Sequence, residues 1–347
     1  MKILHSADWH LDAPLQGYEE LKEALLSVPA RVAELCQKEG CDLVLLSGDL
    51  FDGAYTQKSY RNLFDALSEV KVPVFISPGN HDFITPESPY IREIWPENVH
   101  IFKTPAMEKV ALPGVTVWGA GYTSMDCPGL LQGFTAEGGG LQLGVLHGDA
   151  TPRSPYCPIT RKQVEESGLA YLALGHIHKG DFFTAGNTLC GLPGCPMGKD
   201  FGECGDKGVY LIDTDDLSAP RFISLGLPTF SDMTVPVTTS AEEAVSSALP
   251  PVGDSNYYRI TLTGHSEPVD IPALTARFSQ FSHLVLRDQT QPPLDIWKDL
   301  GEDSFSGEYF GLLREALDHA GEEDARVLTL AARLSRQILD GEEVLLP

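Results

Sequence analysis

Apolar residues in the first half of the chain fall into short runs, separated by stretches with helical spacing. Residues 2–5, 42–46, 72–76 and 171–174 read as strands. Their runs do not alternate with polar residues, as suits strands buried on both faces. Between them, residues 19–38 put Leu21, Leu25, Val28, Val32 and Leu35 on one helical face, with Pro29 placed to bend or divide the helix. Residues 59–70 form the next helix. This alternation predicts an α/β sheet of parallel βαβ units. After Asp82 the spacing predicts a short helix at 90–95 and strands at 99–102, 108–112, 115–121 and 141–146. A helix at 159–167 and a clear strand at 208–213 follow. Such a run followed by antiparallel strands predicts a two-sheet β-sandwich flanked by helices.

A boundary falls near residues 228–232. The first domain is then 1–230, and 231–302 is a small α/β cap domain. The cap would have strands at 233–237, 257–263 and 283–287, with helices at 241–249 and 271–281. The remainder, 303–347, is a helical segment. Phe310, Leu313 and Leu317 make a stripe in its first helix; Val327, Leu330, Leu334 and Ile338 make one in its second. These stripes serve either packing onto the parent domain or docking of a partner.

Composition narrows the class. The chain has 347 residues, enough for a large core plus a small extra domain, and 42% are apolar, an ordinary soluble composition. No apolar run approaches the roughly 18 residues of a membrane span. Met1-Lys2 leads straight into a strand, so no signal peptide is expected. Seven cysteines, an odd number, point to reduced thiols and a cytoplasmic protein. Cys190, Cys195 and Cys204 lack CxxC spacing and a fourth ligand, so small apolar roles are preferred to a zinc site. The net charge of −24 argues against duplex nucleic-acid binding by the whole surface, but not against a local groove or a bound cation.

The chemistry lies at the strand ends. Five polar clusters stand there: Asp8-Trp9-His10, Gly48-Asp49-Leu50-Phe51-Asp52, Gly79-Asn80-His81-Asp82, His147-Gly148, and Gly175-His176-Ile177-His178. Ligands of open α/β sheets bind at the carboxyl ends of the strands, where these clusters would converge. Asp, Asn and His without Cys suit borderline cations such as manganese, iron or zinc. Asp8 with His10, and His176 with His178, can each reach one ion from an extended segment.

The ordered set resembles the calcineurin-like metallophosphoesterases, with their DxH, GDxxD, GNH(D/E), lone His and GxH motifs. The resemblance covers about residues 1–215. The flanks of the first two motifs, and the stretch from Gly175 through Pro193-Gly194-Cys195 to Lys207-Gly208-Val209-Tyr210, are similar to the SbcD-type DNA-repair nucleases. The resemblance implies two divalent metal ions, manganese first, with iron or zinc as alternatives. Asp8, His10 and His178 would hold one and Asn80, His147 and His176 the other, with Asp49 bridging. Two such cations clamp a phosphate and acidify the water between them. His81 would act as the catalytic proton donor, with Asp82 orienting it and keeping it protonated. Asp52 stands where some relatives have His, and a structural role is expected for it.

A DNA exo- or endonuclease acting in repair is the leading function, with DNA as substrate, an SbcC-like ATPase as partner, and a homodimer by resemblance. The alternative is a phosphodiesterase or phosphatase acting on a small phosphoester, which the acidic balance favours. A catalytically idle scaffold is the third reading, and the full ligand set argues against it. Lys58, Arg61, Arg153, Arg161, Lys162 and Lys179 are the basic residues expected near the metal edge.

Overall fold

Strand β1 (Lys2–Ser6) is buried from Ile3 onward and stands inside a six-stranded sheet. On one side, β2 (Leu43–Leu46), β3 (Val74–Ile76) and β4 (Val99–Ile101) follow in parallel. On the other, β11 (Gly208–Asp213) and β12 (Asp216–Ser224) add antiparallel. The second sheet runs β5 (Glu108–Leu112), β6 (Val115–Gly119), β7 (Leu141–His147), β8 (Tyr171–Gly175), β10 (Thr188–Leu192) and β9 (Asp181–Ala185). Its four central strands pair in parallel, and only β5 and β9 are antiparallel. The sequence pattern predicts antiparallel strands here. Returning chain between them, including α5 (Arg161–Glu166), restores the parallel direction instead. The computed structural model describes residues 1–150, 154–292 and 294–341. Two compact units result, Met1–Phe230 and Ser231–Pro347.

The core of the first unit lies between its sheets. Leu43, Leu45, Phe75 and Phe102 meet Val117, Leu143, Val145 and Tyr171 there. Each such side chain stabilises the fold by about 1.5–3 kcal/mol through burial. His5 lies in this layer with the Tyr171 hydroxyl 2.7 Å from Nδ1 and the Ser47 Oγ 2.7 Å from Nε2, tying β1 to both sheets. The predicted helix over 19–38 is divided: α1 (Lys22–Leu26) ends and α2 (Val28–Glu39) begins, with Pro29 in the first turn, where its missing N–H costs nothing. Helix α3 (Gln57–Glu69) starts before the predicted Ser59, because Thr56 accepts from the Ser59 amide and Ser59 closes the capping box. Helix α4 (Pro89–Arg92) is a single turn.

In the second unit, β13 (Phe230–Pro236), β14 (Tyr257–Thr263) and β15 (His283–Asp288) form one sheet. Its core also takes residues from α6 (Ala241–Ala248) and α7 (Ile271–Arg277). Helices α8 (Phe305–Asp318) and α9 (Glu322–Leu339) complete it; of the predicted helical stretch, 342–346 lies outside the described residues. The inward face of α9 differs from the predicted stripe. Ala332, Arg336 and Gln337 are buried, while Val327 and Ile338 are 64% exposed. Arg336 wins the interior because its charge is satisfied there. It donates to Asp299 Oδ2 at 2.6 Å and to the Ile296 carbonyl at 3.3 Å, and lies 4.0 Å over the Phe310 ring.

Candidate metal centre

The parallel strands of both sheets deliver their carboxyl ends to one edge, and the turns there are backbone-strained. Asp8, His10, Asp49 and His176 have φ of 55°, 47°, 51° and 93°. Non-glycine residues avoid this left-handed region, at a cost of order 1–3 kcal/mol each. A zipper of backbone bonds holds the turns: Asp8 N–H to Gly48 O at 3.0 Å, His10 N–H to Asp49 O at 2.9 Å, and Leu11 N–H to Leu50 O at 2.9 Å. The His176 amide donates to Asp8 Oδ1 at 2.9 Å. Glycine is required beside them. A Cβ at Gly79 would overlap Asp49 Oδ1 and the His147 ring, and one at Gly175 would overlap the Ser47 carbonyl.

Two ligand clusters result. In the first, Asp8, His10 and His178 bring one donor atom each within 4.8 Å of one another; in the second, Asp49, His147 and His176 do so. Asn80 Oδ1 joins the second, 2.8 Å from His147 Nε2 and 3.0 Å from His176 Nδ1. Asp49 Oδ2 lies 3.3 Å from His147 Nε2 and 3.9 Å from His10 Nε2, so one carboxylate faces both clusters.

The hydrogen bonds behind the rings test whether cations fit. The outer nitrogen of His10 meets Asp52 Oδ1 at 3.1 Å, and that of His178 meets Glu203 Oε1 at 2.5 Å. Carboxylates only accept, so each Nδ1 carries the proton. The two Nε2 lone pairs then face each other at 3.0 Å. His147 Nδ1 likewise donates to the Ser47 carbonyl at 2.9 Å, turning a bare Nε2 toward Asp49 and Asn80. Acceptors converging on acceptors without donors is an arrangement that cations satisfy. Electrostatics agrees. Burial drives His10 down to about 3 and His147 and His176 down to about 4, keeping the imidazoles neutral as ligands must be. Burial pushes Asp8 up to about 7, and burial and Asp82 push Asp49 well above the carboxylate range, so both need a positive partner to ionise here. The donor set fits divalent cations.

His81 stands beside both clusters with its side chain 43% exposed. Its orienting partner is not Asp82. His81 Nδ1 meets Asp52 Oδ1 at 2.7 Å, and this bond raises its pKa. Asp82 is buried and already engaged. It accepts from the Gly79 amide at 2.7 Å, the Leu50 amide at 2.7 Å, the Phe51 amide at 3.3 Å and the Tyr90 hydroxyl at 2.5 Å. Asp82 therefore rivets two turns together, and Asp52, expected to be structural, ties the ligand His10 to His81.

The sequence reading misses Glu203 and Lys199. Glu203 backs His178 and pairs with Lys199 at 3.3 Å. Both follow the Pro193-Gly194-Cys195 stretch, and the local signal is a carboxylate in a Gly-rich loop. Cys195 lies near this pair, whereas Cys190 is in β10 and Cys204 is exposed, so the three cysteines do not gather. Of the expected basic residues, Lys58 is taken by Glu23 and Lys162 by Glu166; Arg161 stacks 4.5 Å from Phe183, and Arg153 lies outside the described residues.

The α/β sandwich and this centre define a metal-dependent phosphoester hydrolase. The chain belongs to the calcineurin-like phosphoesterase family, whose profile matches residues 1–180. The uncharacterized metallophosphoesterase YhaO of Bacillus subtilis (strain 168) is 31% identical over 237 residues, 61% of this chain and 57% of that protein. A subunit of the nuclease SbcCD from Staphylococcus epidermidis is 36% identical over 87 residues, 24% of this chain and 23% of that protein. The corresponding subunit from Rhodobacter capsulatus is 25% identical over 299 residues, 66% and 70%. The chain thus spans little more than half of the Bacillus relative. Among solved structures, TT1561 of Thermus thermophilus aligns with TM-score 0.43 and 14% identity over 65% of this chain and 98% of that one. Among the described residues, no helix is long and apolar enough to cross a membrane.

Proposed function

We propose that the protein is a phosphodiesterase that cleaves DNA, with two divalent cations, manganese first, in the two clusters. Asp8, His10 and His178 would hold one and Asn80, His147 and His176 the other, with Asp49 shared. When bound, such ions supply Lewis-acid polarisation of the phosphate and a nucleophilic water at neutral pH. The protein's own part is proton delivery. Asp52 anchors His81 Nδ1, which leaves Nε2 as the exposed nitrogen. As water adds to phosphorus and the P–O bond to the leaving alcohol breaks, the His81 Nε2 proton goes to the departing oxygen. This exposed, carboxylate-anchored histidine carries the reading, because the alkoxide leaving group of a nucleic-acid diester is strongly basic and needs that proton.

The relatives named as subunits of the nuclease SbcCD support DNA as the substrate and an ATPase subunit as partner. Exposed Leu312, Val327 and Ile338 on α8 and α9 are the surface we propose for that partner. The decisive experiment incubates the full chain with defined single- and double-stranded DNA and a panel of divalent metals. Manganese-dependent cleavage that His81→Ala removes supports the proposal. Rapid turnover of a small phosphodiester without DNA cleavage favours the small-substrate reading, to which the net charge of −24 lends weight.

A further inference from the structure

We infer that the cleft beside His81 holds the departing half of the substrate and accepts a planar, uncharged group, namely a nucleobase. The inference rests on the proton-donor role of His81 proposed above. The cleft has a volume of about 410 Å³ and lies between the turn at 53–55 and the segment 82–89, with His81 among its lining residues. That volume lies within the range of small-ligand pockets.

Three observations specify the occupant. His81 Nδ1 is committed to Asp52, so the nitrogen that meets the leaving oxygen is Nε2, on a ring that lines the cleft. Whatever is attached to that oxygen is then beside the cleft. The wall offers Tyr55, Phe83 and Pro89 as apolar and aromatic surface. Aromatic rings accept any base by its face, with little regard to sequence. No lysine or arginine lines the cleft, and Glu87 does. The Tyr55 hydroxyl is already given to Glu93 at 2.7 Å. A phosphate would meet like charge here, whereas a neutral base would not.

The cleft is also preformed. The Gly53 amide donates to the His81 carbonyl at 3.0 Å, and Asp82 accepts from Leu50, Phe51 and Gly79. Phe83 rests against the core of the second sheet. The walls are therefore set before a ligand arrives, which limits the ordering cost of binding.

The test uses the manganese-loaded full chain and three dinucleotides of equal leaving-group basicity: thymidine dinucleotide and its two abasic counterparts, each missing one base. One abasic substrate should show kcat/KM lower by roughly tenfold to a hundredfold than the parent. Phe83→Ala, and separately Tyr55→Leu at the turn, should bring that ratio close to one. Equal turnover of all three by the native protein overturns the inference, as does an undiminished ratio in both variants. If none of the dinucleotides is cleaved, the DNA reading fails and the cleft is judged alone. Saturation-transfer NMR with adenosine on the metal-free protein should then show contact to the base protons, lost in Phe83→Ala. No transfer in the native protein overturns the inference independently of activity.

Discussion

The two ends of the metal centre use the same residue types but are backed differently. At one end His10 and His178 turn their outer nitrogens to the carboxylates Asp52 and Glu203. At the other, His147 leans on the Ser47 carbonyl, and His176 lies against the Tyr156 ring at 4.9 Å. A carboxylate behind an imidazole raises its basicity as a ligand. The first end should therefore hold its cation tightly, and the second should exchange more readily.

Asp49→Asn gives the largest effect, because it breaks both ends together. Hydrolysis should fall by more than the roughly 10–100-fold typical of losing an outer partner, and elemental analysis should find less than the full complement of metal. Full loading with unchanged activity would mean that the carboxylate is not shared. Glu203→Gln separates the ends. Calorimetric titration with manganese should show one affinity lowered by about 10–100-fold and the other retained; equal weakening of both would erase the contrast. Gly175→Ala attacks the second end through shape. Its methyl would press on the Ser47 carbonyl and the His147 ring. Urea denaturation should show a loss of about 1–3 kcal/mol, with the weaker manganese affinity falling further.

The smallest effect concerns His5, beneath both ends. Burial holds its pKa down to about 3. An unfolded histidine takes its proton near 6.5, so the stability from neutral His5 is fully present above about pH 6.5 and is lost as pH falls toward 3. One such proton changes stability by about 1.4 kcal/mol per pH unit. His5→Gln should lower stability at neutral pH and flatten this slope, measurable by denaturation at a series of pH values. An identical slope in the variant would place the titration elsewhere.

Much of this contrast is invisible along the chain. The ligand clusters are legible because each is short, polar and set at the end of an apolar run. Their backing residues are not, because contact there is made between loops. Asp82 follows His81 in sequence, yet its carboxylate turns to amides 31 and 32 residues away, while Asp52 reaches His81 from another turn. Glu203 is 25 residues from His178, in a loop with no period to mark it. The parallel pairing of β6, β7, β8 and β10 is hidden because periodicity reports burial and not strand direction. On α9, apolarity selects Val327 and Ile338, but the ion pair and ring stacking of Arg336 decide which face turns inward.

The left-handed backbone at Asp8, His10, Asp49 and His176 has a consequence for the design of mutants. Asparagine enters that region more easily than most residues. At Asp8 or Asp49 it removes the charge while leaving the turn relaxed, so lost activity reports chemistry. Alanine there keeps the strained turn and discards the contacts that hold it, so the same loss mixes folding with function. At Asn80 and His178, which lack positive φ, alanine is the cleaner replacement. The informative substitution thus differs between ligands of one centre, and the backbone angle decides which to make.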